Sequence, residues 1–583
     1  MALNRFINIL IPPRVRVCAA IFLTVLTSST VLAETQAGIL KLTILDSETD
    51  KAVPARIEVL DADGNSYFAE DALPIGGSCG EMERNEGKPW RTIEYKGSSL
   101  KDALATFPTT IKDFITDKSY FYSTGQSTLK LPPGSFKIRV FKGPEYEVSH
   151  TEVKLVAGST LKKSITLLRF VNMPAKGWYS ADGHLHITRH HKGVDPFVLK
   201  LMQAEDIHVG NLLEIGRSAA NSTAQQYTHG DKSLYQEGNY LITSGQENLR
   251  THLLGHTITL GAEEFIYKPE TYPLYRLAWQ QAVDQGALNG YGHFGEDRLN
   301  LDPGLPIVAP YNLMHFIEVL QLNQGHYNAW YNMLNLGFRI TPTAGTDYMC
   351  GGVLPGAERF FTKVEGPLTF KNWLEGVRAG RTFITTGPLL EFSINGQDIG
   401  SEVILPEDGE VTIKGEVHFQ KRGFDHLFDE MMELELVENG EVVRRFPRLD
   451  NSGKISFEIQ HKVQETSWLA LRINSLYLNK FPTRKLSDTA HSAPIYVTLE
   501  NKPPISEHPR TQAIAKKWLA SLDALAIRIS EDNIEYLYER DPKFIRGDHL
   551  PRQVLMDNHL ALMKEIDHAK QYFQGFLKND LSK

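Results

Sequence analysis

The chain has 583 residues, too many for one hydrophobic core, so roughly three or four domains are expected. Hydrophobic residues make up 42% and charged residues 23%, ordinary proportions for a globular protein. Lys+Arg 62 against Asp+Glu 70 gives a net charge of -8, which argues against nucleic acid or an anionic membrane as a partner.

The chain opens with a secretory pattern. Arg5, Arg14 and Arg16 precede the apolar run Val17 to Leu26, and Thr27-Ser28-Ser29-Thr30-Val31-Leu32-Ala33 follows before Glu34. A basic start, a short apolar centre and small residues predict a signal peptide over 1–33, cut after Ala33. The run is short for a span of about 20 residues. No other run is long and apolar enough, so no stable membrane span is expected after cleavage, and the mature protein is expected to be periplasmic or secreted. It retains Cys79 and Cys350, as consistent with one disulfide as with two free thiols.

Residues 38–172 read as a β-sandwich. Leu40, Leu42 and Ile44 alternate, as do Ala55, Ile57 and Val59, with a turn at Asp63-Gly64. Pro132-Pro133-Gly134 opens another alternating set, Phe136, Ile138 and Val140. Residues 73–130 form a long insertion. Pro54-Ala55-Arg56-Ile57, the Asp-Gly turn and Pro132-Pro133-Gly134-Ser135-Phe136 make this region similar to the carboxypeptidase-regulatory-like β-sandwich, which implies scaffolding or binding.

From 175 to 387 short apolar strands alternate with helical stretches. Pro196 to Ala204 is predicted helical with Asp195 as a cap. Val209 to Ile215 reads as a buried strand, Leu274 to Asp284 as a helix and Leu288 to Phe294 as a strand. Tyr327 to Leu336 reads as a helix ending at Gly337, followed by a strand, Phe338 to Ala344. This alternation predicts parallel βα units in a barrel or open sheet, with the chemistry at the C-terminal strand ends. Residues 388–502 return to a β pattern with hairpin signals at Asn395-Gly396 and Asn439-Gly440, a second β-sandwich. Residues 503–583 carry helical stripes, Trp518, Leu522, Leu525 and Ile529, then Leu555, Leu562, Ile566, Ala569 and Phe573, which read as packing faces.

The strand ends of the α/β segment carry metal-ligand chemistry. In Asp182-Gly183-His184-Leu185-His186, residues i and i+2 of an extended strand point to one face and aim two imidazoles at one ion. Gly245-Gln246-Glu247, Gly255-His256, Gly292-His293 and Gly345-Thr346-Asp347 add a carboxylate or imidazole each. Together they form a nitrogen and oxygen set suited to zinc, manganese or iron. His190-His191 read as a solvated loop.

The order of these motifs resembles the PHP superfamily of metal-dependent hydrolases, and within it the CehA/McbA-type metallohydrolases. A helix followed by Gly380-Arg381 and Thr385-Thr386-Gly387-Pro388 extends the likeness over about 175–390. The resemblance implies a PHP-like distorted β/α barrel and a metal set of His184, His186, Glu247, His256, His293 and Asp347, with His252 as an alternative to His256. Two departures stand out. Where many members carry Asp-His after the second strand, this chain has Glu214-Ile215; Glu214 is a possible additional ligand, and Ile215 cannot ligate. Tyr348 follows Asp347 where many members carry a His-containing pattern. One or two divalent ions are therefore expected instead of three.

Such a set lowers the pKa of water and polarises the bond under attack. Tyr348 is a candidate for binding the oxyanion and Asp182 for orienting a ligand histidine. Arg359 is a candidate substrate-binding group, equally readable as a core-edge arginine. The expected activity is hydrolysis of an ester, carbamate or amide of a small-molecule substrate. PHP-type phosphoester hydrolysis is one alternative, and a non-catalytic ligand- or glycan-binding protein with a degenerate metal site is another. Nothing in the sequence specifies an oligomeric state.

Overall fold

A computed structural model describes residues 36–75, 99–105, 107–113, 117–216, 222–251, 253–292, 304–321, 324–325, 327–348, 353–420, 432–446, 453–475, 489–540 and 550–578. The leader at 1–33, Cys79, Cys350, His252 and His293 lie outside them.

The chain is mostly β-sheet, in several sheets, with helices on the central part and at the C-terminal end. Residues 38–167 form a three-stranded and a five-stranded sheet around one core. Leu40, Leu42 and Ile44 on Gly38–Asp46 meet Ile57, Val59, Phe136, Ile138 and Val140 there, as their alternation requires. The polar positions of Ala55–Leu60 are buried as well. Arg56 reaches out of the sheet to Glu205, Nε to Oε1 at 2.6 Å, so this face abuts the central region instead of solvent.

In the central region Trp178–Leu185, Val209–Gly216 and Tyr240–Thr251 run parallel. Gly255–Leu260 then turns back antiparallel between Tyr240–Thr251 and Leu288–Tyr291. The short link before it, closed by Gly255 at φ 94°, allows a hairpin where a βα crossover was expected. Phe316–Gln321 and Thr341–Ala344 resume the parallel direction. Arg359–Lys363 lies antiparallel to Trp178–Leu185, and a bridge from Leu185 to Tyr348 ties the first strand to the segment after Thr341–Ala344.

Helices Asp195–Ala204, Tyr275–Asp284, Tyr327–Asn335 and Phe370–Arg378 lie between these strands in sequence. Gly337, at φ 90°, follows the third, as predicted. Asp195 is the first residue of its helix and does not cap it; its carboxylate accepts from Arg189 Nη1 at 3.2 Å and Tyr227 Oη at 2.7 Å.

The sheet continues past residue 388. Thr382–Thr385 pairs with Ala490–Ser492, which leads on to Ser467–Ser475, Met432–Glu438 and Ile495–Leu499. A separate four-stranded sheet of Leu389–Ile394, Gln397–Asp398, Gly409–His418 and Lys454–Val463 faces it. Trp178, Phe361 and Phe383 from the central strands share a core with Phe392, Ile413, Leu471 and Ile495, so the two regions are joined by packing as well as by strand pairing. Both Asn-Gly pairs have positive φ at both residues (50° and 78°, 53° and 95°), the signature of a two-residue hairpin turn.

Helices Arg510–Arg528 and Arg552–Lys578 bury their predicted stripes in the core of the central region, joined by Ile534 and Leu537 of Glu531–Arg540. Asn558 Nδ2 donates to Glu270 O at 2.7 Å, and Arg276 pairs with Glu565 at 3.1 Å. Among the described residues no helix is long and apolar enough to cross a membrane.

Candidate metal centre

His184 and His186 sit at the end of the first central strand, fully buried. Their rings lie edge to face with centroids 4.8 Å apart, and the two Nε2 atoms are 3.0 Å apart. The other ring nitrogens face acceptors. His184 Nδ1 lies 3.0 and 3.2 Å from the two Glu318 oxygens, and His186 Nδ1 lies 3.1 Å from Leu213 O. These partners assign the Nδ1 position as the donor on both rings. Two Nε2 lone pairs are then turned toward one point, an arrangement stable only around positive charge.

Two carboxylates complete that point. Glu247 Oε2 is 3.6 Å from His184 Nε2 and 3.2 Å from His186 Nε2. Asp347 Oδ1 is 3.7 and 3.0 Å from the same atoms. Donors about 2.1 Å from a tetrahedral ion stand about 3.4 Å from one another, and the separations that involve a histidine, 3.0–3.7 Å, lie near that edge; His184, His186 and Asp347 have all their ligand atoms within 4.8 Å of one another, with Glu247 beside the histidine pair. The donor set fits a divalent cation. Asp347 side chain keeps 14% exposure while the other donors are sealed, so solvent reaches the cluster from its side.

The backbone is shaped to bring these groups together. Asp347 adopts φ 53°, a left-handed conformation that Asp tolerates. Gly345 leaves room where a Cβ would stand 2.4 Å from His184 Cβ and 2.5 Å from Glu318 Oε1. Beneath them the buried Asp182 binds His184 N and Thr346 N through Oδ1, and Thr346 Oγ1 and Gly356 N through Oδ2. It touches the backbone of the ligands and not their rings; the ring partner is Glu318.

The electrostatics follow. Burial alone would disfavour positive charge here, yet Glu318, Glu247 and Asp347 hold the pKa of His184 well above the ordinary value, and Asp347 and Glu247 raise His186; the same negative field favours a cation at the two Nε2 atoms in place of a proton. Glu247 stays ionised despite burial because Arg250 and the three histidines 184, 186 and 256 face it. Burial pushes Asp182 up to about 6, against the hydrogen bonds it accepts.

The remaining sequence candidates divide. His256 joins the cluster's edge, with Nδ1 3.0 Å from Glu247 Oε1. His293 is outside the described residues. Glu214 turns to a different set of partners, Gln226 N at 3.1 Å and His229 Nε2 at 3.2 Å. Tyr348 packs its ring among Leu185, Ile187 and Tyr122, with its hydroxyl buried there. Arg359 donates Nη1 to the carbonyls of Glu205 and Asp206 at 2.9 and 3.3 Å and serves to fasten that turn. Sequence reasoning missed Glu318, and it noted Arg250 only as one of several basic residues near the motifs, with no role assigned. Glu318 was signalled by a lone carboxylate inside the apolar run Phe316-Ile317-Glu318-Val319-Leu320.

Two groups among the described residues could hold a metal ion: His184, His186 and Asp347, and a second one of Glu391, Glu416 and His418. The second is already neutralised by Lys176 and Lys454, the latter 2.8 Å from Glu416. The chain matches no known family model and no curated protein.

Proposed function

We propose that this chain is a metal-dependent hydrolase acting on an ester, carbamate or amide bond of a small molecule. The observation that carries this reading is the convergence of His184 Nε2, His186 Nε2 and Asp347 Oδ1, within 3.0–3.7 Å of one another, with Glu247 Oε2 3.2–3.6 Å from the two imidazoles, in a buried cluster where Asp347 keeps partial exposure. Mixed imidazole and carboxylate donors suit zinc or manganese, with iron a further candidate. An ion held there supplies Lewis acidity and lowers the pKa of water. The PHP-like order of motifs supports the same class.

The chain's own groups have definite tasks. Glu318 and the Leu213 carbonyl keep the protons of both imidazoles on Nδ1, so that Nε2 stays a ligand. Asp182 holds the backbones of His184 and Thr346 at a fixed spacing, which sets the distance between the histidine pair and Asp347. The sealed walls around His184, His186 and Glu247 exclude bulk water and strengthen each charge interaction. Substrate enters past Asp347.

The test uses the mature chain stripped with chelator and reloaded with zinc, manganese or iron(II). It is assayed on matched aryl ester, carbamate, anilide and phosphoester substrates. Metal-dependent cleavage of a carbon-centred bond, lost in His186→Ala, is expected. Cleavage of phosphoesters alone would transfer the protein to the phosphoesterase reading. Metal retention with no turnover on any substrate would leave a binding protein.

A further inference from the structure

Glu247 divides its two oxygens. Oε2 faces His184 and His186, while Oε1 faces His256 Nδ1 at 3.0 Å and Arg250 Nε at 3.2 Å. A carboxylate that bridges two ions needs both oxygens for metal, each within about 2.2 Å of its ion. Here the second flank is taken by a guanidinium, which is permanently charged. A divalent ion bonded to Oε1 would lie within a few ångströms of that charge, in a site too buried for water to screen the repulsion.

Arg250 is placed there by its strand. It lies opposite His256 across the Tyr240–Thr251 and Gly255–Leu260 hairpin. Its backbone N donates to Tyr272 Oη at 3.1 Å, which pins the residue. The side chain keeps 12% exposure, close to the 14% of Asp347, whereas Glu247 is sealed. The arginine is thus the partly exposed member of its pair with the buried carboxylate.

We propose that Arg250 takes the position of a second cation, so that the centre holds one divalent ion, at His184, His186, Glu247 and Asp347, beside a fixed guanidinium that receives the negative charge of the substrate. This rests on the metal-site reading above. It defines the preferred ligand as a small molecule with an anionic or strongly polarised oxygen.

Metal stoichiometry tests it without any substrate. Chelator-treated chain is equilibrated with increasing zinc or manganese, and bound metal is measured by mass spectrometry and calorimetry. Wild type is expected to bind one ion. Arg250→Gln is expected to bind its first ion at least tenfold more tightly and to take up a second at Glu247 Oε1 and His256. Arg250→Lys, which keeps the charge, is expected to stay at one. Binding of no ion by wild type would refute the metal site itself. Two ions in wild type, or an Arg250→Gln protein with unchanged count and affinity, would overturn the arginine proposal alone. Circular dichroism of each variant confirms that folded protein is compared. Should Arg250→Gln not fold, the wild-type and Arg250→Lys counts decide.

Discussion

The Asp182 carboxylate accepts two hydrogen bonds from Thr346, the backbone N to Oδ1 at 3.1 Å and Oγ1 to Oδ2 at 2.6 Å. Through the same two oxygens it holds His184 N at 3.0 Å and Gly356 N at 2.9 Å. Four donors on one buried carboxylate join the segment carrying the histidine pair to the segment carrying Asp347. The distance across the candidate metal centre is therefore set beneath the ligands as well as by them.

Asp182→Asn tests that linkage. The amide turns two donor hydrogens toward N–H groups, leaving buried donors unsatisfied at about 1–3 kcal/mol. Metal affinity is expected to fall about 10–100-fold, as for other groups that orient ligands. Thr346→Val removes only the Oγ1 bond and should cost about 1 kcal/mol. Thermal melts and chelator competition read both effects. An Asp182→Asn protein with wild-type metal affinity would refute the role.

Glu318 makes a sharper case because it touches a ligand ring. Glu318→Gln keeps the shape and an acceptor but removes the charge that raises His184, and metal affinity should fall by about tenfold; Glu318→Ala should approach 100-fold. The order wild type, Gln, Ala is the expected result. Equal affinity for all three would show that His184 Nδ1 needs no carboxylate.

Arg56 and Glu205 give a stability test outside the site. They are buried together at 2.6 Å, with Tyr122 Oη also donating to Glu205 at 2.7 Å. Arg56→Ala should cost about 3–5 kcal/mol by stranding the carboxylate, while a paired replacement by Met at both positions should be far milder. Urea melts of the two singles and the double provide the coupling. Additive losses would mean that the pair does not join the two regions as drawn.

What the sequence disclosed and what it hid follow from distance along the chain. The histidine pair was legible because period-two spacing on a strand is local, and Glu247 and Asp347 because glycine-flanked strand ends mark ligand positions. Glu318 and Arg250 were not, since their importance depends on which strands become neighbours. Tyr348 and Arg359 show the converse error. Each lies near a motif in sequence, but Tyr348 turns away from Asp347 into an apolar cluster, and Arg359 turns to backbone carbonyls. The β pattern after 388 was equally readable, yet nothing local revealed that its strands would extend the central sheet through Thr382–Thr385.

Gly345→Ala tests close packing at the centre. A Cβ there meets His184 Cβ at 2.4 Å and Glu318 Oε1 at 2.5 Å, and neither can withdraw without moving a ligand. About 1–3 kcal/mol of stability should be lost, and metal affinity with it. Gly409→Ala, whose nearest neighbour is Glu407 O at 3.9 Å, is the control and should stay within about 0.5 kcal/mol. Metal binding in Gly345→Ala equal to that of the control would refute the steric account.

His491 is fully buried, with Nδ1 2.7 Å from Ser492 O and Nε2 2.6 Å from Tyr331 Oη. Both nitrogens are satisfied in the neutral ring: Nδ1–H donates, and Nε2 accepts from the tyrosine. Burial first, and then the Arg472 charge, lower its pKa to about 3. Below an unfolded-state value of about 6.5 the unfolded chain takes up a proton that the folded chain refuses. Stability is therefore full above about 6.5 and erodes toward 3, by at most about 1.4 kcal/mol per pH unit for this group. His208 and His315, each lowered to about 4 chiefly by burial, add slope of the same sign. Trp330 packs against His491 with ring centroids 5.0 Å apart, so tryptophan fluorescence reports this region. Melts followed that way at pH 7 and pH 4.5 should show His491→Gln less stable than wild type at pH 7 but with a shallower loss on acidification. An unchanged slope would mean that His491 already carries its proton in the folded protein.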